Sequence, residues 1–390
     1  MESEWNEVIF SEVIEINPNR ELIKGQEYPF IDMQAVEPYT RKISNIKFRK
    51  YNGSGSKFKN GDTLFARITP CLENGKTAYV KELKSGETGF GSTEFLVFSG
   101  KEDVTDNLFV YYLSRSSEIR EYAIKNMTGT SGRQRVDKSC FNELKIKLPS
   151  LPEQQKIASI LSAFDDKIEL NNEMNKTLEE IAQAIFKHWF IDFEFPNENG
   201  EPYKSNGGEF VDSELGPIPK GWEVRKLGEI GQFKNGINYG REESGDSKYK
   251  IVNVRDLVTT DYIIPSRLDT INIDKRKANQ YLLEEGDLLI VRSANPGEIG
   301  INMNSDSNLI YSSFIIRFRL YDRLELFYLY FLLKNIKQKL EIYSNGTTLK
   351  NINQQILNGI KVMIPLKNIL QKFNIIISPI IEKMSPPVYN

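Results

Sequence analysis

The chain has 390 residues, 39% hydrophobic and 27% charged, with a formal net charge of −2. That length suits two or three domains, each able to bury its own core. No run approaches the ~20 apolar residues of a membrane span, Met1–Trp5 is acidic and polar rather than a signal peptide, and Cys71 and Cys140 lack a CxxC partner, so a disulfide framework or zinc site is disfavoured and a reducing cytoplasm fits.

Trp5 opens the first segment, followed by Phe10-Ser-Glu-Val13 and the strand-like Tyr28-Pro-Phe-Ile-Asp-Met33. A basic stretch comes next: Arg41, Lys42, Lys47, Arg49, Lys50, Lys57 and Lys59, seven cations with no acid between them. Such a run reads equally as a solvated surface or as an edge lying against phosphates, because one face can hold DNA while the total charge stays near zero. Lys47, Arg49, Lys57 and Lys59 are the candidates for backbone contact. Phe58-Lys-Asn-Gly-Asp-Thr-Leu-Phe-Ala-Arg67 is a Gly-Asp turn entering an apolar strand. Arg67 and Thr69, just after it, are either phosphate contacts or members of internal ion pairs. Leu108-Phe-Val-Tyr-Tyr-Leu113 starts an amphipathic helix. Gly129-Thr-Ser-Gly-Arg-Gln-Arg135 follows, then Lys138. Thr130, Arg133, Gln134, Arg135 and Lys138 are the residue types that bond base edges and phosphates. The plainer reading of this loop is a solvated helix N-terminus.

From residue 150 to about 190 the periodicity becomes helical. Ser150 and Glu153 form a capping-box pattern, with Pro152 in the first turn. Ile157, Leu161, Phe164, Ile168, Asn171, Asn175, Leu178, Ala182, Ile185 and Trp189 follow at alternating steps of four and three. This is a heptad seam on a helix about 60 Å long. It reads as a rigid spacer pairing with another helix, with Asn171 and Asn175 fixing register, or more plainly as a surface helix.

A stretch dense in Pro and Gly, from about Phe195 to Gly221, reads as a linker. The chain is then written again at a spacing of roughly 217 residues, too long for a solenoid and right for a duplicated domain. Trp222 and Leu227-Gly-Glu-Ile230 repeat the opening, and Tyr249-Lys-Ile-Val-Asn-Val254 repeats the first strand. Leu283-Glu-Glu-Gly-Asp-Leu-Leu-Ile-Val-Arg292 repeats the Gly-Asp turn, making Arg292 and Ser293 the counterparts of the Arg67 loop. The basic counterpart is weaker, with Arg267, Lys275, Arg276 and Lys277 nearby. Leu326-Phe-Tyr-Leu-Tyr-Phe331 repeats the helix start, and Asn345-Gly-Thr-Thr348 repeats the Gly-Thr loop. Thr347, Thr348, Lys350, Asn351, Asn353 and Gln354 are the second set of candidate readers. Gln134, Arg135 and Lys138 face Lys350, Asn351 and Gln354 at one offset: polar character is kept while identity changes. The seam also repeats, Ile157, Leu161, Phe164 and Ile168 mapping onto Phe373, Ile377, Ile380 and Met384, before Pro386 and Pro387 end the helix at about half the first one's length.

Catalytic motifs are not in evidence. Ser385-Pro-Pro-Val-Tyr389 has Val388 where an amino-methyltransferase motif needs its aromatic. Gly75-Lys76-Thr77 has the ending of a phosphate loop, but Pro70 stands where its first glycine belongs. His188 is the single histidine, which leaves no material for a triad or a histidine metal site.

Leu148-Pro-Ser-Leu-Pro-Glu-Gln-Gln-Lys-Ile157, the heptad helix ending Phe186-Lys-His-Trp-Phe-Ile-Asp-Phe193, and Leu215-Gly-Pro-Ile-Pro-Lys-Gly-Trp222 resemble the specificity subunits of type I restriction–modification enzymes. The resemblance covers nearly the whole chain. It implies an α+β fold: two homologous mixed α/β target-recognition domains separated by long antiparallel coiled-coil helices, the second shortened. The expected layout is recognition domains at 1–149 and 221–365, the central helix at 150–194, the linker at 195–220 and a short distal helix with tail at 366–390. Each domain would read half of a bipartite site in double-stranded DNA, and the helices would set the gap. Methyltransferase (modification) subunits would dock on the helices, and ATP-hydrolysing restriction and translocase subunits would join them. All catalysis would be theirs, with no cofactor or metal in this chain. The competing readings are a helical scaffold that does not bind DNA, and a truncated or orphan specificity subunit.

Overall fold

Two Gly-Asp turns organise the chain. In the computed structural model, which describes residues 5–130, 132–240, 245–293, 296–343 and 352–384, Gly61 and Gly286 hold φ of 94° and 85°, the left-handed region that suits glycine. The next residue folds its carboxylate back. Asp62 accepts the Lys59 N–H at 2.6 Å, and Asp287 accepts the Glu284 N–H at 2.7 Å. Both carboxylates are buried and each binds an arginine, Arg20 in the first copy and Arg319 in the second. The turns launch the strands Thr63–Ala66 and Leu288–Val291, in which every residue is buried.

The chain divides into two units, Met1–Glu173 and Met174–Asn390. In the first, strand Asn6–Ile9 pairs antiparallel with Lys145–Leu148. A four-stranded antiparallel sheet runs in the order Ile14–Ile16, Phe95–Gly100, Thr63–Ala66, Thr77–Tyr79. A second runs Lys47–Lys50, Glu27–Ile31, Thr88–Gly91, Ser56–Lys59, its central pair parallel. Ile31, Phe58, Leu64 and Val97 pack into one cluster, and Phe10, Phe65, Phe98 and Phe141 into another that includes residues of helices Asn107–Arg115 and Ser117–Lys125.

The second unit repeats this plan. Glu223–Lys226 pairs with Lys361–Ile364. Gly231–Asn235, Ile315–Leu320, Leu288–Val291 and Ile299–Ile301 form the four-stranded sheet, while Asp269–Ile273, Ser247–Val252 and Leu309–Tyr311 form the other, again with one parallel pair. Single backbone bonds repeat as well. Phe10 N–H donates to Leu144 at 2.8 Å, and Leu227 N–H to Ile360 at 2.9 Å. The duplication read from the sequence is therefore a duplication of the fold.

Helix Leu151–Phe186 carries 36 residues, about 54 Å at 1.5 Å per residue, and ends in a π turn, Lys187–Ile191. Its start is locked by Gln154, fully buried, whose amide donates to the Pro149 and Val104 carbonyls and accepts the Asp106 N–H. One face then carries Ser162, Asp166 and Glu169, all bonded to the buried guanidinium of Arg41. Lys81 also reaches Glu169, Lys42 reaches Glu173, and the Tyr112 hydroxyl donates to Asp165 at 2.8 Å. Arg41 and Lys42, the first two cations of the basic run, are thus both paired to the helix, Arg41 buried and Lys42 at the surface.

That clamp has a pH signature. Burial pushes the Glu169 carboxyl up, but hydrogen bonds from Arg41 and Lys81 outweigh it and hold the group below its ordinary value. The Arg41 hydrogen bond does the same for Asp166. Carboxyls with lowered folded values stabilise above their unfolded pKa, about 4, and lose that contribution as pH falls through the folded values. Asp166 and Glu169 keep some contact with water, so Arg41→Ala should cost about 2 kcal/mol at pH 7, less than a fully buried pair would. In urea denaturation the gap between wild type and variant should narrow progressively as pH falls below the unfolded pKa of about 4; a gap that stays constant with pH sinks this account.

The heptad seam is covered over only part of its length. Helix Lys367–Met384, 18 residues long, buries Phe373, Ile377, Ile381 and Met384, with Ile380 partly buried. It packs antiparallel to the end of the long helix. Phe373 meets Phe186 and Trp189, whereas Met384 meets Tyr262, beside Asp261, which Lys334 bridges to Glu179. Leu178, Ala182 and Ile185 lie in the same core. Further back along the seam, Leu161, Phe164 and Ile168 are exposed, Phe164 by 64%. Pro379 sits inside the distal helix; the carbonyl it leaves without a donor is that of Ile375, on the exposed face, where water can serve it.

The stretch expected as a linker is packed instead. Phe195 is buried and stacked between Tyr203 and Trp222, with ring centroids at 4.5 and 5.3 Å, and Phe210–Val211 pairs with Ile218–Pro219. Its glycines serve turns at positive φ, at Gly200, Gly207, Gly216 and Gly221. Among the described residues no helix is long and apolar enough to cross a membrane.

Candidate nucleic-acid interface

Strand Thr63–Ala66 exits into the loop bearing Arg67 and Thr69, and the structure brings this loop against the Gly-Thr loop. Val136 N–H donates to the Arg67 carbonyl at 2.9 Å, and Thr69 N–H to the Gln134 carbonyl at 3.0 Å. Met127–Thr128 and Arg135–Val136 form a short hairpin whose turn carries Thr130 and Arg133. Two groups of residues far apart in sequence are therefore one surface. The Arg135 guanidinium lies side-on to Glu94: Nε is 3.0 and 2.9 Å from the two carboxylate oxygens, and Nη2 is 2.7 Å from one. That bond raises the arginine's proton affinity further. Arg67 reaches Asp137 only at 3.8 Å, and its Nε has no partner among the described residues. Asp137 caps the turn Lys138–Asn142, and the Ser139 N–H and hydroxyl hold its carboxyl below its usual value. Lys138 is exposed at the start of that turn.

All four residues of the edge strand Lys47–Lys50 are exposed. Lys47 pairs with Asp32 at 2.8 Å, and Arg49 lies 4.1 Å over the Phe30 ring. Lys57 donates to the Arg20 carbonyl at 2.6 Å and sits above Tyr51, so it holds its own unit together; Lys59 is exposed. Arg49 borders an open concavity of about 560 Å³ whose rim includes Gln34, Asn52, Ser54 and Thr93. Thr93 adjoins Glu94, so the basic edge and the Arg135 hairpin are joined through one loop. Sequence reasoning missed Gln34, Asn52, Thr93 and Glu94, because nothing in their spacing marks them.

The second copy repeats the framework. Arg292 N–H donates to Phe314 and its carbonyl accepts the Ile352 N–H, each at 2.9 Å, matching Arg67 with Glu94 and Val136. Ser293 follows, half-buried. Asn353 uses its side-chain oxygen to cap helix Gln354–Gly359, the role of Asp137 in the first copy, and Gln354 begins that helix. Thr347, Thr348, Lys350 and Asn351 lie outside the described residues. The edge strand here is Asp269–Ile273, less basic than Lys47–Lys50; Arg267 and the helix Lys275–Ala278 flank it.

The motifs weighed for catalysis are elsewhere engaged. Lys76 donates to the Met33 carbonyl at 2.8 Å, and Thr77 is buried in a strand, so Gly75-Lys76-Thr77 builds no phosphate cradle. His188 is exposed on the π turn. Burial pushes the Cys140 thiol up to about 11, away from reactivity. The Ser385–Tyr389 tail lies outside the described residues. Among the described residues no three His, Cys, Asp or Glu side chains gather as a metal site would require.

Comparison with known proteins gives a consistent result. The family model described as "Type I restriction modification DNA specificity domain" matches residues 2–180 and 219–385. The MjaIX type I restriction enzyme specificity subunit of Methanocaldococcus jannaschii is 31% identical over 285 residues, 71% of this chain and 62% of that protein, so the match spans somewhat under two thirds of its length. The MjaVIII type I restriction enzyme specificity subunit of the same organism is 27% identical over 365 residues, 91% of this chain and 82% of that one. A crystal structure of a type I restriction–modification system S subunit from M. genitalium shares the fold at a TM-score of 0.54, with 15% identity, covering 100% of this chain and 98% of that one.

Proposed function

This chain belongs to the type I restriction–modification DNA specificity family, and from that membership we propose that it reads double-stranded DNA for a complex whose chemistry is done by other subunits. The observation that carries the reading is the repeated backbone frame. In each copy a strand-end arginine, Arg67 or Arg292, is hydrogen-bonded to the segment that follows the Gly-Thr loop. Two copies of one frame bearing different side chains suit a bipartite site with two unlike halves. Residues 1–149 would read one half and residues 221–365 the other. Arg67, Thr69, Thr130, Arg133, Gln134, Arg135 and Lys138 serve the first half; Arg292, Ser293, Thr347, Thr348, Lys350, Asn351, Asn353 and Gln354 serve the second. Lys47, Arg49 and Lys59 add phosphate contact, which fixes register without carrying sequence information. Modification subunits would dock on the helices and restriction subunits on that core, in the cytoplasm, with no catalytic group in this chain.

The test is co-expression with a type I modification subunit from the same genome, followed by genome-wide mapping of methylated bases. The expected result is a split motif, two short defined blocks around a fixed undefined gap. A continuous motif would mean that one domain alone reads DNA. A stable complex that methylates nothing would favour the scaffold reading.

A further inference from the structure

We infer that Glu94 positions Arg135 to read a guanine in the first half-site; this rests on the DNA-reading function proposed above. An arginine has five N–H donors in a flat fork. Glu94 takes the Nε–H, shared between both oxygens, and one Nη2–H. The end of the fork, an Nη1–H beside the other Nη2–H, has no acceptor among the described residues. Two parallel N–H groups at that spacing match the O6 and N7 acceptors on the major-groove edge of guanine.

The surroundings fit a reader rather than a structural pair. The Arg135 side chain is 43% exposed and Glu94 23%, so the pair lies open at the surface. The backbone beneath is fixed on both sides, since Arg135 pairs with Thr128 and bridges to Ile68. A long side chain already held in one rotamer loses less freedom on binding. The carboxylate also neutralises the guanidinium, so the pair draws little on phosphate attraction, which falls to cations without a carboxylate partner among the described residues, such as Arg133 and Lys138. Glu94 thereby turns Arg135 away from the backbone and toward the base edge. The repeat places Asn351 opposite Arg135, a residue type suited to adenine, so the effect belongs to one half-site.

The experiment uses the full chain with its modification subunit and genomic DNA as the probe. Wild type, Glu94→Gln and Arg135→Lys are compared by methylation mapping and by the salt dependence of binding to a duplex bearing the mapped site. Both substitutions keep side-chain size, and Arg135→Lys keeps the charge while removing the fork. We expect the wild-type motif to demand G·C at one position. Both variants should relax that same position by about ten- to a hundredfold and leave the other half-site unchanged; Arg135→Lys should keep the salt slope, while Glu94→Gln, which frees a cation, should steepen it. An unchanged motif in both variants overturns the inference while leaving DNA reading intact. So does relaxation at different positions, or loss of all methylation from a soluble, assembled complex. A wild type with no sequence motif brings down the DNA-reading function itself, and this inference with it.

Discussion

Phe373→Ala should lower the stability of the Met174–Asn390 unit by about 3–5 kcal/mol and loosen the distal helix. Phe373 is fully buried, and its ring centroid lies 4.8 Å from Phe190, 5.9 Å from Trp189, 6.3 Å from Phe331 and 6.4 Å from Phe186. Truncation removes apolar surface from this aromatic cluster and leaves a void that four rigid rings cannot fill by collapse. Tryptophan fluorescence during urea denaturation is the direct readout, because Trp189 and Trp222 are both buried in this unit while Trp5 is exposed in the other. Ile375→Ala, on the same helix at 75% exposure, is the control and should stay within about 0.5 kcal/mol of wild type. A Phe373 variant that melts with the control would mean that the distal helix is not anchored through this ring.

Asp287→Ala should be comparably costly, about 3–5 kcal/mol, for an electrostatic reason. The carboxylate is 1% exposed and takes the Arg319 Nε and Nη2, both at 2.7 Å, as well as the Glu284 N–H. Removing it leaves the guanidinium, 28% exposed, with Glu284 as its remaining carboxylate and the Leu282 carbonyl, and opens the turn that starts strand Leu288–Val291. Asp62→Ala should act likewise in the first unit, where Arg20 is only 10% exposed. Replacing Asp287 and Arg319 together by Leu and Met should recover part of the loss, since a buried pair of charges adds little over apolar groups of similar size. Thermal melts of the single and double variants decide this. If the double variant is less stable than the single, the cost comes from the turn and not from the guanidinium's lost partner.

Much of this architecture was legible in the sequence because it rests on local rules. The Gly-Asp turns, the alternating strands and the heptad spacing each follow from a few neighbouring residues, and their recurrence in order exposes the duplication. What could not be read depends on which surfaces meet. Arg41 and Arg49 stand in the same basic run and look alike there, yet one is buried against Asp166 and Glu169 and the other lies over an aromatic ring on an exposed edge strand. Glu94 carried no mark, since an acid opposite an arginine appears only when two loops are brought together. Breaker density marked 195–221 as a linker, but Phe195, Tyr203, Ile218 and Trp222 supply enough apolar surface to pack it. A strict heptad shows that a seam exists without showing how much of it this chain covers, and Leu161, Phe164 and Ile168 remain bare.

The pairing of Asn6–Ile9 with Lys145–Leu148 also sets a clock for synthesis. The first strand's partner is about 140 residues downstream, and at roughly 5–20 residues per second it emerges some 7–28 s later. Until then Phe10 lacks the Leu144 carbonyl that receives its N–H, and its ring lacks Phe141. Glu223–Lys226 waits as long for Lys361–Ile364. In each copy the first strand thus waits for the last, so a nascent chain stalled shortly before Lys145 holds both four-stranded sheets of the first unit but neither that closing strand nor the helix that follows it.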